Sequence, residues 1–196
     1  MFERKHAMKR REFLRTCVTG VTVGAGAASL PLLSTAHASI EEGRQNIDPD
    51  KLSKTAYQQF IPGKLTCCES ILMAGCEALG VKSDLVPDIA LGLAGGIGLQ
   101  GKTCGVLSGC AMVLSLAIAQ KESEYSKKKM STLQAVARVH RAFKEKVGNT
   151  ECRPLCGLDL TTPAGRKKMQ ESVKEQTCTR FVQVGSELLA IELQRL

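Results

Sequence analysis

The stretch Thr103-Cys104-Gly105-Val106-Leu107-Ser108-Gly109-Cys110-Ala111-Met112-Val113-Leu114-Ser115-Leu116-Ala117-Ile118-Ala119 carries no charge and is apolar all round. A helix with no polar face is buried on all sides, so a helix from about Val106 to Ala119 implies other helices around it. Gly101, Gly105 and Gly109 recur every four residues, a small-residue face that lets another helix cross closely. The run lies at the lower limit of length for a bilayer span, with Lys102 before it, Lys121-Glu122 after it and Ser108 and Ser115 within it. It is expected to be a buried central helix, without membrane insertion.

Outward from this segment the pattern stays helical. Upstream lies the Gly-rich run Gly92-Leu93-Ala94-Gly95-Gly96-Ile97-Gly98-Leu99-Gln100-Gly101. Before it, Thr66 can N-cap a helix running to Leu79, with Gly80 as the stop, and Asp84 can start another carrying Leu85, Ile89 and Leu91. Leu52 to Phe60 makes a short helix, closed by Pro62-Gly63. Downstream, Ser131–Val147 reads as a long amphipathic helix ended by Gly148-Asn149, and Thr150–Asp159 as a loop. Thr162-Pro163 opens a basic helix, and Cys178–Leu196 forms the last, with Phe181, Val184, Leu188 and Ile191 at helical spacing. No convincing period-2 strand appears, and aromatics are only 4% of residues. The expected fold is all-α: a compact multi-helix domain with a Gly-rich loop before a central apolar helix.

The first 38 residues read as an address. Lys9-Arg10-Arg11-Glu12-Phe13-Leu14-Arg15 resembles the twin-arginine export motif, the uncharged run Cys17–Leu33 follows, and Ala36-His37-Ala38 offers a cleavage site. The expected organisation is a signal peptide over 1–38, a linker and short helix over 39–63, and a Cys-rich helical domain over 64–196. The expected location is the periplasm or another extracytoplasmic space. A chain on this route folds in the reducing cytoplasm, where disulfides are rare, which tilts its cysteines toward metal or cluster ligation.

Charge excludes some functions. The net charge of +8 includes six basic and two acidic residues of the leader, so the remainder carries only a small positive excess. Without aromatics among the basic residues, this does not describe a nucleic-acid binder. Arg166-Lys167-Lys168 and Lys127-Lys128-Lys129 read as solvated helix faces. Gly96-Ile97-Gly98-Leu99-Gln100-Gly101 spells the dinucleotide fingerprint, but no strand precedes it, so NAD is not expected. His140 is the one histidine after residue 38 and no Cys-x-x-Cys-His occurs, so haem is not expected either.

What remains is sulfur. Beyond the leader stand Cys67, Cys68, Cys76, Cys104, Cys110, Cys152, Cys156 and Cys178, in no zinc-finger or ferredoxin spacing. They fall on different elements, so any site must be assembled by the fold. Cys76 and Cys110 lie within apolar helices, where a free cysteine behaves as a small hydrophobe.

The order of these cysteines resembles the redox-active family named for the pattern C_GCAxxG_C_C. Cys67-Cys68-Glu69 stands first, then Cys104-Gly105-Val106-Leu107-Ser108-Gly109, with Val106 in place of the usual Ala. Next comes Gly148-Asn149-Thr150-Glu151-Cys152-Arg153, continuing to Gly157 and Asp159, and finally Cys178 before Phe181-Val182. The chain is also similar to the N-terminal module of split-Soret cytochromes, which are exported, dimeric and carry an iron–sulfur centre, although their haem-binding part has no counterpart here. The resemblance implies redox activity, a homodimer and ligation of an iron–sulfur cluster by Cys67, Cys104, Cys152 and Cys178. Cys68, Cys110 and Cys156 are secondary candidates. Electron transfer to an unidentified redox protein is the expected role, with N–H groups of the Gly95–Gly105 loop expected to face the sulfurs. The alternatives are a cofactor-free binding module stapled by disulfides and a thiol–disulfide exchange protein using Cys152 and Cys156 or Cys67 and Cys68.

Overall fold

The computed structural model describes residues 47–196, and every described element is helical. The export segment, Cys17 and the start of the linker lie outside the described residues. Helices α1 (Pro49–Phe60), α2 (Cys67–Ala78), α3 (Gly105–Lys121), α4 (Tyr125–Val147), α5 (Cys152–Cys156), α6 (Pro163–Lys168) and α7 (Thr179–Gln194) follow in order. A 3-10 helix covers Asp88–Leu93, and a ten-residue π-helix, Met169–Cys178, runs directly into α7.

The apolar run behaves as its composition demands. Helix α3 packs against α2, α4 and α7, and Val106, Val113, Leu114 and Ala117 are buried. Each such aliphatic side chain larger than Ala contributes about 1.5–3 kcal/mol by leaving water. The α2–α3 crossing is close because Gly109 faces Ile71: a Cβ there would stand 2.8 Å from the Ile71 Cβ and 2.9 Å from the Cys68 carbonyl oxygen. No helix among the described residues is long and apolar enough to cross a membrane.

Local signals set the boundaries. The Thr66 hydroxyl accepts from the Glu69 N–H, and the Glu69 carboxylate accepts from the Thr66 N–H at 2.9 Å, a reciprocal capping box. Helix α4 begins six residues earlier than its apolar pattern suggests, because the Glu124 side chain accepts from the Ser126 N–H and caps a polar first turn. Helix α1, grouped with the linker by sequence, packs on α7 and buries Leu52, Ala56 and Phe60 in the common core.

Three expectations need correction. The helix expected from Asp84 is a turn followed by the 3-10 helix, and Leu85, Ile89 and Leu91 are exposed. The basic helix opened by Pro163 is α-helical only to Lys168 before it widens into the π-helix. In α7 the buried set is Phe181, Val182, Leu188, Leu189 and Leu193, while Ile191 is 40% exposed. That helix packs against α1, α3 and α4 at once, so its buried face is wider than one apolar stripe.

The buried face of α7 also holds Glu192. Its carboxylate accepts two bonds from Arg138 Nε, at 3.0 and 3.2 Å, besides a close one from Nη2, and Arg195 stands 3.4 Å away. The pair fastens α4 to α7.

Candidate functional site

Three of the sulfurs are brought to helix starts, and the fourth to the junction of the π-helix with α7. Cys67 is the first residue of α2, Cys104 the N-cap of α3, Cys152 the first residue of α5, and Cys178 the last residue before α7. A helix start presents unpaired backbone N–H groups, which favour a thiolate over a thiol.

Two local devices place them side by side. At the α2–α3 crossing, Gly105 lies against Cys67, and a Cβ on Gly105 would stand 2.5 Å from the Cys67 Sγ. On the other flank, the loop before α3 pairs with the segment before α5. Cys104 N donates to Thr150 O at 2.8 Å and Cys152 N donates to Lys102 O at 2.7 Å, around the bridge between Thr103 and Glu151. Residues nearly fifty positions apart thereby become neighbours.

The result is a cavity of about 280 Å³ whose wall includes Cys67, Cys104, Cys152, Cys156 and Cys178. Apolar side chains, among them Phe60, Leu99, Val106, Leu160 and Phe181, make up much of the remainder. The structure thus gathers the four cysteines singled out by the resemblance, together with Cys156. It does not bring Cys68, Cys76 or Cys110 there. Cys68 is fully buried in the core, where desolvation pushes its pKa up to about 12. Cys110 is buried with its Sγ directed at Gly185 O, 3.5 Å away, and its α3 position turns it toward α7. All eight described cysteines are free thiols.

The sulfurs are electrostatically unequal. The neighbouring Cys104 side chain acts most strongly on Cys67, followed among the stabilising influences by the backbone N–H groups of Cys68 and Gly105. Together they lower its pKa from the ordinary 9.0 despite burial. Cys104 is raised, chiefly by the neighbouring Cys67 side chain and by burial. Burial raises Cys152, and burial with the nearby Cys67 raises Cys178 to about 12. The fold therefore favours deprotonation of Cys67 and opposes that of Cys104, Cys152 and Cys178.

The Gly-rich loop serves the sulfurs less directly than its sequence suggests. Gly98 N, Gly101 N and Lys102 N donate to Gly92 O, Gly95 O and Gly96 O, so these loop donors are used to hold its own shape. The N–H groups that face sulfur belong to Gly105 and Val106, at the start of α3. At Gly96, φ is +73° and a Cβ would meet the Lys102 backbone at 2.4 Å, so the fold of the loop requires glycine there. No strand precedes the fingerprint-like run among the described residues, in keeping with its reading as a loop that lines a thiol site.

Residues 65–190 match the family model described as "Putative redox-active protein (C_GCAxxG_C_C)". The chain belongs to this family. The family role is redox activity. No curated protein and no solved structure matches the chain.

The donor set fits an iron–sulfur centre. Among the described residues no three His, Cys, Asp or Glu side chains converge closely enough to hold a single metal ion, for which each thiolate must approach to about 2.3 Å. A cluster places its ligands on separate irons, so its thiolates stand around a volume instead of meeting at a point. Five sulfurs line one largely apolar cavity, and soft thiolates are the ligands such clusters take.

The sequence reading passed over Lys174. It lies half-buried on the cavity wall, four residues before Cys178, with Nζ donating to Leu65 O at 3.0 Å and lying 4.7 Å from the Phe60 ring centroid. Its spacing from Cys178 is the only signal the sequence offers.

Proposed function

We propose that this redox protein holds an iron–sulfur centre through Cys67, Cys104, Cys152 and Cys178 and passes single electrons to a partner outside the cytoplasm. The observation that carries this reading is that four cysteines from four separate segments of the chain line one cavity. Bound there, the cluster would supply a one-electron couple. The chain's own residues bind it through sulfur, aim the Gly105 and Val106 N–H groups at Cys67 and Cys104, and exclude water with the apolar wall. Such hydrogen bonds and burial set the potential of a cluster. Folding before export, as the twin-arginine segment implies, would allow the cluster to be inserted inside the cell. Anaerobic purification followed by iron and acid-labile sulfide analysis tests the reading. Stoichiometric iron and sulfide with visible charge-transfer absorption support it, and colourless, iron-free protein after reconstitution contradicts it.

One observation favours a second reading. Cys67 and Cys104 are thiols on one cavity wall, and the Cys67 pKa is depressed chiefly by its Cys104 neighbour, the form of an exchange pair. The Cys67 thiolate would attack a substrate disulfide and release one thiol. Cys104 would then resolve the mixed disulfide and release the second, so that two electrons pass to the substrate. This pair stands beside Cys152–Cys156 and Cys67–Cys68 as an exchange candidate.

A further inference from the structure

The cavity wall carries three cations, Lys64, Arg166 and Lys174, and no Asp or Glu among the described residues. Two of the three have other settings. Lys64 is exposed, and Arg166 donates Nη1 to Leu160 O at 3.1 Å and to Thr161 O at 2.8 Å. Lys174 is half-buried and fixed on two sides, by the Leu65 carbonyl and the Phe60 ring face. Those contacts anchor its ammonium on the same cavity wall as Cys67 and Cys178, where partial burial lowers its pKa. The nearby carboxylate, Glu69, is occupied in the capping box with Thr66.

The backbone that carries Lys174 is itself unusual. π-Helical turns are rare and are found mostly as single turns at functional sites. Here ten residues take that form, and Met169, Gln170, Lys174 and Cys178 of this segment all line the cavity. The widened helix puts the ammonium and a sulfur ligand candidate on one wall.

We propose that Lys174 is the fixed countercharge of the sulfur cavity, a positioning residue that makes the cavity a site for an anionic occupant. This deepens the cluster reading and rests on it for the identity of the natural occupant. A thiolate-ligated cluster is anionic, and its reduced state is more so by one electron. A half-buried ammonium at its side therefore favours the reduced state and raises the potential.

Two measurements on the whole protein test this with Lys174→Gln and Lys174→Arg. In cluster-loaded protein, Lys174→Gln shifts the reduction equilibrium toward the oxidised state by about tenfold, which is 59 mV for a one-electron couple, and Lys174→Arg restores most of it. In metal-free protein, the rate of thiol labelling by a dicarboxylate aryl disulfide is divided by that of a neutral pyridyl disulfide, a ratio that cancels thiolate content. Lys174→Gln lowers this ratio about threefold or more at low salt, and Lys174→Arg does not. An unchanged ratio, or an unchanged potential at equal iron content, overturns the proposal. If the wild type takes up no iron, the cluster reading fails and the labelling ratio alone decides the countercharge.

Discussion

Cys67 and Cys104 line one cavity wall where the starts of α2 and α3 meet, and the neighbouring Cys104 side chain is the largest influence holding the Cys67 pKa down. Cys67 thereby has a pKa below the ordinary 9.0, whereas Cys104, Cys152 and Cys178 are raised. In reduced, metal-free protein it should be the first site alkylated by iodoacetamide. Its rate should reach half-maximum below pH 9, since the thiolate is the nucleophile. Cys104→Ala removes the largest influence holding that pKa down, so the midpoint moves up. Peptide mapping over a pH series measures both.

Gly105→Ala should damage site and fold together. The new Cβ would stand 2.5 Å from Cys67 Sγ and 3.2 Å from the Cys68 nitrogen, and backbone cannot yield as a side-chain end does. Overpacking of this kind costs about 1–3 kcal/mol. Urea denaturation should show that loss, and iron content should fall below half of wild type.

Arg138→Met should separate stability from the site. It leaves the buried Glu192 carboxylate with Arg195 alone, 3.4 Å away, and an undersatisfied buried acceptor costs about 1–3 kcal/mol. The denaturation midpoint should drop, while the absorption spectrum and potential of the loaded protein stay as in wild type.

Replacing Arg10 and Arg11 by lysines should hold the protein in the cytoplasm with its leader uncleaved. Wild type should be recovered outside with Ser39 as the first residue. Cell fractionation with N-terminal sequencing reads both outcomes.

The helical architecture was legible because its cues are local. The uncharged run from Thr103 demands burial, Thr66 and Glu69 announce a capped start, and Gly148 ends α4 at φ +89°. The wide turns after Lys168 were not legible, because a π-helix has no distinct apolar period and Met169–Cys178 buries no residue. At the site, the cysteines Cys67, Cys104, Cys152 and Cys178 could be named from their order and flanking residues. That they share a wall could not be read, since it depends on the pairing of Lys102–Cys104 with Thr150–Cys152 and on the crossing at Gly105. Cys68 and Cys156 look equivalent as sequence neighbours of those four. Helix phase decides between them, turning Cys68 into the core and Cys156 onto the cavity. Lys174 was lost among other basic residues because its partners, Phe60 and Leu65, lie more than a hundred positions away.

Cysteine footprinting addresses the shared ligand set most directly. Anaerobic protein as purified is alkylated before and after iron chelation, and each cysteine is scored by mass spectrometry. The account predicts that Cys67, Cys104, Cys152 and Cys178 are protected together and become reactive together when iron is removed. Strong labelling of any of these four in iron-loaded protein would contradict it.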